Sequence, residues 1–191
     1  MNKKYTALTI AAEMAQVQVV RFLLEAGANR DAADEDGDTA LMVAAREGHV
    51  EVAGALLEAS AAQDLANSDG YTALMFAADW GNVEVAGLLL DAGANKETAD
   101  NNGYTALMLA AREGHFAVAQ MLVQAGSNKD AASNLGWTSL MIASRQGHVG
   151  VVSLLVDAGA KTDLVNTDGQ TALMLAARDG QAEVVRLLTE G

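Results

Sequence analysis

The sequence predicts an all-α solenoid of stacked helix-turn-helix units with projecting hairpin loops. A period of 33 residues runs through the 191-residue chain. Within each period, apolar residues fall at helical spacing, and glycine follows the short apolar segments, where its left-handed conformation ends a helix. Fixed periods of this length indicate stacked units, because one such unit is too small to bury its own apolar face.

The tripeptide Thr-Ala-Leu, which becomes Thr-Ser-Leu once, marks the period. Its first residues are Thr6, Thr39, Thr72, Thr105, Thr138 and Thr171. Glycine keeps the same interval at Gly48, Gly81, Gly114, Gly147 and Gly180. We therefore expect a single domain over 1–191, divided into repeats at about 1–33, 34–66, 67–99, 100–132, 133–165 and 166–191.

One unit, residues 67–99, shows how each repeat is expected to fold. Thr72 is a favourable N-cap before an apolar run, and Gly81 ends the helix that follows. A second apolar helix covers about 83–90. Both helices are too short to be stable alone in water, so stacking must stabilise them. The loops between units carry the tight-turn dipeptides Asp36-Gly37, Asp69-Gly70, Asn102-Gly103 and Asp168-Gly169.

The residue order within a unit resembles the ankyrin repeat. It reads Gly-x-Thr-x-Leu-x-x-Ala-Ala-x-x-Gly-His, followed by Val, Leu-Leu and Gly-Ala. The fourth repeat shows it best, at Gly103, Thr105, Leu107, Ala110, Ala111, Gly114, His115, Val118, Leu122 and Gly126. The resemblance covers essentially the whole chain. It implies an ankyrin-repeat solenoid whose partners are held by the loop tips and first helices of the concave side.

The sequence departs from the family motif at the start of each first helix. Thr-Pro-Leu-His becomes Thr-Ala-Leu-Met, with methionine at Met42, Met75, Met108, Met141 and Met174, and Thr9 in the first repeat. The missing proline removes a preset dihedral, and the missing histidine removes a polar link between units. Methionine supplies adaptable packing instead. We expect the first helices to be held more by burial than by hydrogen bonds.

Several residues break the regularity of the repeats. Ala15 and Ser60 occupy sites where helix-ending glycines are expected, and Gly54 and Gly87 lie inside second helices at a cost of about 1 kcal/mol each. An idealised design avoids such choices, which favours a natural sequence, although the regular repeats favour a designed one. A complete short array and an excised piece of a longer array both fit the terminal repeats.

Charge and composition restrict the partner. The formal net charge is −13, from 25 acidic and 12 basic residues. Nucleic acid and anionic membranes repel such a chain, so we expect neither as a partner. The acidity mildly favours basic partners, or it only keeps an alanine-rich array soluble. With no cysteine, disulfides and cysteine-ligated metals are excluded. No segment reaches the roughly 20 apolar residues of a membrane span.

Catalysis finds no support in the sequence. His49, His115 and His148 share one repeat position, so equivalent atoms in adjacent units lie about 10 Å apart, too far to share a metal. We expect each of these histidines to bond to local backbone after its turn. No glycine-rich phosphate loop followed by lysine occurs. We therefore expect no catalytic residue, no cofactor and no enzyme.

Alternating aspartates around Gly37 resemble part of a calcium-binding loop. Aligning Gly37 with the invariant glycine of such a loop puts Ala32 at the first ligand position and Val43 at the bidentate glutamate. Neither side chain can bind calcium. We expect a solvated turn here and no metal site.

The resemblance places a partner on the loop tips and the first helices. All tryptophans and tyrosines fall at these positions, whereas we expect Phe22, Phe76 and Phe116 in the core. Packing on the neighbouring repeat is the alternative role for the tyrosines. Trp, Tyr and Arg dominate binding hot spots. The candidate partner-binding residues are Asp36, Asp38, Arg46, Asp69, Tyr71, Asp79, Trp80, Tyr104, Arg112, Leu135, Trp137 and Arg145.

These positions suggest a function. We expect an acidic-aromatic strip, running from Asp36 and Asp38 through Trp80 and Tyr104 to Trp137, that grips a basic or amphipathic segment of a protein. The chain is then a non-catalytic, cytoplasmic interaction module. We expect a monomer, with end-to-end stacking as an alternative. The competing functions are an engineered or structural scaffold without a dedicated partner, and a targeting fragment of a larger protein. A small-molecule site is disfavoured because the face is open.

Overall fold

The structure, a computed structural model, describes residues 5–190; residues 1–4 and Gly191 lie outside the described part. Its helices form six consecutive pairs, pair 1 to pair 6, and confirm the all-α expectation. The first helices of the pairs are α1 Ala7–Glu13, α3 Ala40–Glu47, α5 Ala73–Trp80, α7 Ala106–Glu113, α9 Ser139–Gln146 and α11 Ala172–Arg178. The second helices are α2 Val17–Glu25, α4 Val50–Glu58, α6 Val83–Asp91, α8 Phe116–Gln124, α10 Val149–Asp157 and α12 Ala182–Glu190.

The helices form two layers. Each first helix packs against the first helix of the next pair, and each second helix packs against the second helix of the next pair. The core lies between the layers and consists largely of alanine, leucine and the motif methionines. Met42, Met75, Met108 and Met141 are fully buried, as their packing role predicts. Met174 is 57% exposed, because within the described residues no further pair follows α11.

Caps begin and end α5 as the motif predicts. The Thr72 hydroxyl oxygen accepts a hydrogen bond from the Met75 backbone N–H at 3.3 Å, which satisfies a free donor at the helix start. Gly81 ends α5 with a φ of 73°, in the left-handed region that favours glycine. Ala15 and Ser60 adopt the same region with φ of 53° and 61°. Both positions therefore carry backbone strain.

Each hairpin loop is closed by a polar side chain at one repeat position, which is Asp34, Asn67, Asp100, Ser133 or Asn166. In the loop between pairs 1 and 2, the Asp34 carboxylate accepts hydrogen bonds from the backbone N–H groups of Asp36 and Asp38, both at 2.9 Å. The Gly37 N–H donates to the Asp34 carbonyl at 3.1 Å. Side chains of this type commonly bond to the backbone of their own turn. The aspartate that opens the alternating run is thus committed to the turn.

Backbone hydrogen bonds connect each loop tip to the tip before it. The donor N–H and acceptor carbonyl pairs are Ser68 to Asp36 at 3.0 Å, Asn101 to Asp69 at 3.1 Å, Asn134 to Asn102 at 2.9 Å and Thr167 to Leu135 at 3.0 Å. The tips approach so closely that a Cβ on Gly103 would lie 2.6 Å from the Asn134 nitrogen. The loops therefore form one connected row along the stack.

The histidines connect neighbouring pairs, so the expectation that they bond to local backbone is wrong. The His115 Nε2 atom lies 3.1 Å from the Asp79 carbonyl oxygen, and His148 reaches the Arg112 carbonyl at 3.0 Å. Both partners lie 36 residues earlier, at the end of the preceding first helix. The turn after the glycine directs the ring along the stack, where it satisfies a carbonyl that the helix end leaves free.

Two phenylalanines lie outside the core, contrary to expectation. Phe22 is 68% and Phe116 is 45% exposed, whereas Phe76 is half-buried against the core. Phe116 is the first residue of α8, where its ring lies across the second-helix layer against Gly150. Helical spacing alone cannot separate such a position from a core one.

Within residues 5–190, no helix combines the length and apolar character needed to cross a membrane.

Candidate partner-binding surface

Two rows of side chains face each other between the loops and the first helices. The loops supply an aromatic row, Tyr71, Tyr104 and Trp137, each one residue before a capping threonine. In pairs 2 to 6, the first helices supply a charged row at one repeat position, which consists of Arg46, Asp79, Arg112, Arg145 and Arg178. The 33-residue period repeats both rows, so the stack itself aligns them.

A groove of about 820 Å³ lies between the two rows in pairs 3 to 5. It is lined by Asn67, Asp69, Tyr71, Phe76, Asp79, Asp100, Asn101, Asn102, Tyr104, Arg112, Asn134 and Leu135. A second depression of about 410 Å³ shares Tyr104, Arg112 and Leu135 with it and adds Trp137 and Arg145. The groove therefore brings together six of the candidate residues, and its extension adds two more, Trp137 and Arg145.

An ion-pair network holds the middle of the groove. The Arg112 guanidinium lies 2.6 Å from the Asp79 carboxylate and donates from Nε to Glu113 at 2.9 Å. Burial raises the pKa of Asp79, although the charge of Arg112 opposes this shift. Burial opposes ionisation of Arg112, but its bond to Glu113 and the charge of Asp79 raise its pKa overall. Arg112 is therefore a fixed cation beside a partly desolvated aspartate.

Tyr71 completes this network on the loop side. Burial raises the pKa of the Tyr71 phenol, the charge of Asp79 raises it further, and a hydrogen bond with Arg112 opposes both. The Tyr71 ring also lies against Phe76, with the two centroids 5.1 Å apart. The tyrosine is half-buried against the core. It thus packs on the stack, as the alternative role proposed for the tyrosines requires, and still lines the groove.

Two candidate residues of pair 2, Asp38 and Arg46, form ion pairs and hydrogen bonds within the chain. Asp38 is almost fully buried; its carboxylate pairs with Arg46 at 3.2 Å and accepts a hydrogen bond from the Asn67 side chain at 2.7 Å. Arg46 also bonds Glu47 at 2.9 Å and lies 5.9 Å from the centre of the Phe76 ring. Asp36 is exposed at its loop tip. The large groove does not extend to these residues.

At the other end, the extension combines a cation with apolar surface. The Arg145 guanidinium lies 5.4 Å from the centre of the Trp137 ring, within cation–π range. Arg145 also pairs with Asp179 at 3.3 Å. Leu135 stands at the loop tip and is 62% exposed, where the equivalent residues of other loops are aspartate or asparagine. This end of the groove thus exposes a leucine beside a tryptophan and an arginine.

Trp80 lies outside the groove. It is 60% exposed at the end of α5 and lines a separate depression of about 410 Å³ with Asp79, Glu113 and His115. Asp79 is the residue common to this depression and the groove. The sequence placed Trp80, Tyr104 and Trp137 on one strip. The structure divides them between two adjoining depressions.

Sequence reasoning missed groove residues of two kinds. Phe76 was expected in the core, but its ring reaches the groove because phenylalanine is larger than the buried Val43 and Leu109 at the equivalent positions. The other kind consists of residues that close the loop turns, Asn67 and Asp100. The Asp100 carboxylate accepts hydrogen bonds from the backbone N–H groups of Asn102 at 2.9 Å and Tyr104 at 2.7 Å. Size variation at one repeat position is a signal that could have identified Phe76.

Comparison with known proteins agrees with this architecture. A family model described as ankyrin repeats matches the chain in three copies, at residues 1–66, 59–133 and 125–191. None of the curated proteins compared with the chain matches it. Ankyrin repeats generally act as protein–protein interaction modules. The family model covers the whole length in overlapping copies, and the chain therefore belongs to the ankyrin repeat family.

Proposed function

We propose that this protein is a non-catalytic interaction module that binds a segment of a protein partner in the groove between its loops and first helices. The whole chain, 1–191, acts in this proposal as one domain of six repeats. The observation that carries it is the exposed Leu135 at a loop tip, beside Tyr104 and Trp137, on the edge of a groove of about 820 Å³. Tryptophan, tyrosine and arginine, which stand beside Leu135 here, are the side chains that dominate binding hot spots.

The fold does not require Leu135. The equivalent tip residues Asp36, Asp69, Asn102 and Asp168 are polar, and the tip-to-tip ladder uses only the backbone carbonyl of this position. Leucine therefore adds exposed apolar surface without a structural gain. A partner that covers the side chain would remove that surface from water, with a gain of up to about 1.5–3 kcal/mol for full burial.

Charge favours a basic or amphipathic partner segment. Asp69, Asp79 and Asp100 line the groove against one cation, Arg112, and the whole chain carries −13. Such a surface raises the association rate of basic segments and slows that of acidic ones. An amphipathic segment also fits, because its apolar side chains can contact Leu135 and Tyr104 while its basic side chains face the aspartates.

Peptide display with matched variants tests this function. A random peptide library is selected on the wild-type chain, and the selected peptides are measured by calorimetry on the double variant Leu135→Asn, Trp137→Ala. We expect peptides rich in Lys and Arg, whose affinity falls at least about tenfold in the double variant, equal to about 1.4 kcal/mol.

Phe116→Ala is the control, because it removes an exposed aromatic ring from the second-helix layer. It should leave affinity unchanged. Selected peptides that bind the double variant as tightly as the wild type would place the binding surface elsewhere. Failure to select any peptide would favour a scaffold without a dedicated partner.

A further inference from the structure

Pair 3 departs from its neighbours at the end of its first helix. In α3 and α7 this end reads Arg-Glu, and the arginine Nε donates to the adjacent glutamate at 2.9 Å in both Arg46–Glu47 and Arg112–Glu113. In α5 the same two positions are Asp79 and Trp80. The arginine–glutamate pair of α3 and α7, which carries no net charge, is thus replaced in α5 by an aspartate and a tryptophan.

Trp80 takes no part in the apolar packing of the stack. The side chain belongs neither to the buried core nor to the half-buried apolar residues that pack against it. The equivalent residues of the other pairs with a complete motif, Glu47, Glu113, Gln146 and Asp179, are all polar. A 60% exposed tryptophan leaves a large apolar face in water. Its presence is therefore explained by contact with another molecule better than by folding.

The surroundings of Trp80 favour a cation. The depression of about 410 Å³ is lined by Trp80, Asp79, Glu113 and His115, with no lysine or arginine among its lining residues. The Glu113 side chain is 46% exposed and can accept further hydrogen bonds. Asp79 is partly desolvated, and an added positive charge would favour its ionised form. Asp79 and Glu113 share one cation, Arg112, so a net negative charge remains beside the indole and repels an anion.

We propose that Trp80 and Glu113 bind an arginine side chain of the protein partner. The proposal rests on the binding function above, since the arginine belongs to the segment in the groove. A guanidinium is planar, so it can stack on the indole while its N–H groups donate to Glu113. A lysine ammonium provides the charge but not the plane. Asp79 lines both depressions, so a segment in the groove lies within reach of the Trp80 depression.

A short peptide isolates this contact from the rest of the partner. The probe is acetyl-Gly-Arg-Gly-amide, titrated into ¹⁵N-labelled full-length protein, with the indole N–H signals of Trp80 and Trp137 as the readout. We expect a saturating shift at Trp80 with an affinity near 1 mM, which corresponds to about −4 kcal/mol. The neutral isostere with citrulline in place of arginine should bind at least about fivefold more weakly, and the lysine peptide should fall between them. A Trp80 signal that does not move, or that moves equally with citrulline, would overturn the proposal.

The variant Trp80→Gln tests the assignment, because it introduces the neutral residue that pair 5 carries at Gln146 and adds no charge that would itself attract arginine. It should abolish the arginine-dependent shifts of the backbone amides around Glu113. Trp137→Tyr, which puts the residue of pairs 3 and 4 into pair 5, should preserve them. Loss in both variants, or in neither, would contradict the assignment to Trp80.

The two proposals can fail separately. Display-selected peptides that need Leu135 and Trp137, yet bind Trp80→Gln unchanged, would overturn the arginine site and leave the groove function in place. Selected peptides that do not need Leu135 or Trp137 would overturn the groove function. The tripeptide titration on Trp80 does not depend on that outcome, because it uses no selected peptide.

Discussion

The internal pair 4 and the terminal pair 6 carry almost the same motif, but the motif residues of pair 4 are covered by a following pair and, within residues 5–190, those of pair 6 are not. Met108 in pair 4 is fully buried, whereas Met174 at the same position of pair 6 is 57% exposed. A Cβ on Gly103 would meet the next loop at 2.6 Å, whereas one on Gly169 would meet nothing within 4 Å. A repeat residue therefore contributes to stability mainly through the neighbour that covers it, as expected of a stack with nearest-neighbour coupling.

The largest expected difference is at the buried methionine. Met108→Ala should lower the free energy of unfolding by about 2–5 kcal/mol, because it leaves a cavity between α7 and α9. Met174→Ala should change it by less than about 0.5 kcal/mol. Urea unfolding followed by circular dichroism, fitted with a nearest-neighbour repeat scheme, measures both. Equal losses would contradict the coupling between neighbouring pairs.

The loop glycines should show the next largest difference. Gly103→Ala and Gly169→Ala share the cost of a left-handed alanine, about 1–2 kcal/mol, since their φ values are 82° and 72°. Gly103→Ala adds a clash with the backbone of the next loop, which costs about 1–3 kcal/mol more. The same urea experiment compares the two variants. A loss at Gly169 that matched the loss at Gly103 would show that tip-to-tip contact adds nothing.

Smaller gains should come from releasing strain at the ends of two helices. Ser60→Gly should stabilise the chain by about 0.5–1 kcal/mol, because Ser60 has a φ of 61° and glycine adopts that region without a steric cost. Ala15→Gly should act likewise at the turn of pair 1. Gly27, at the Ser60 position of pair 1, has a φ of 84° and open space around it. The reverse change Gly27→Ser should therefore destabilise by a similar amount, and thermal unfolding checks all three signs.

The smallest expected effect concerns two aspartates whose pKa values shift in opposite directions from the ordinary value of 3.8. Burial raises the pKa of Asp79, which faces Arg112, Glu113, His115 and Tyr71. A hydrogen bond from Arg178 lowers the pKa of the exposed Asp179, with Arg145 adding to the shift. Carboxyl titration by NMR should place the Asp79 midpoint above 3.8 and the Asp179 midpoint below it.

These shifts affect stability with opposite signs. The folded state holds the Asp79 proton more tightly than the unfolded state, so its contribution to stability falls as pH rises from 3.8 through its folded pKa. The Asp179 contribution is present above 3.8 and is lost as pH falls through its folded pKa. Asp79→Asn and Asp179→Asn should therefore change the slope of stability against pH in opposite directions. Slopes that changed in the same direction would contradict the assignment.

Prediction from the sequence was most successful for features that depend on local chemistry. The Thr72 cap, the left-handed Gly81 and the buried Met75 all follow from residue type and spacing, and the structure confirms each of them. The candidate surface was harder to predict. The resemblance to ankyrin repeats put Tyr104 and Trp137 on the partner-facing side, where both line depressions, but it put Trp80 on the same strip. Helical spacing put Phe116 in the core, whereas its side chain is exposed.

The sequence by itself determined the period, the helix boundaries and the position of each residue within its unit, because caps, glycines and apolar spacing act within about ten residues. Only the stacking decided what depends on two units at once. It placed Arg112 of pair 4 on Asp79 of pair 3, directed His115 to the Asp79 carbonyl and separated the Trp80 depression from the groove. The physical reason is that these contacts join residues 33 to 36 positions apart in the chain, whose distance is set by how neighbouring pairs pack and not by local conformation.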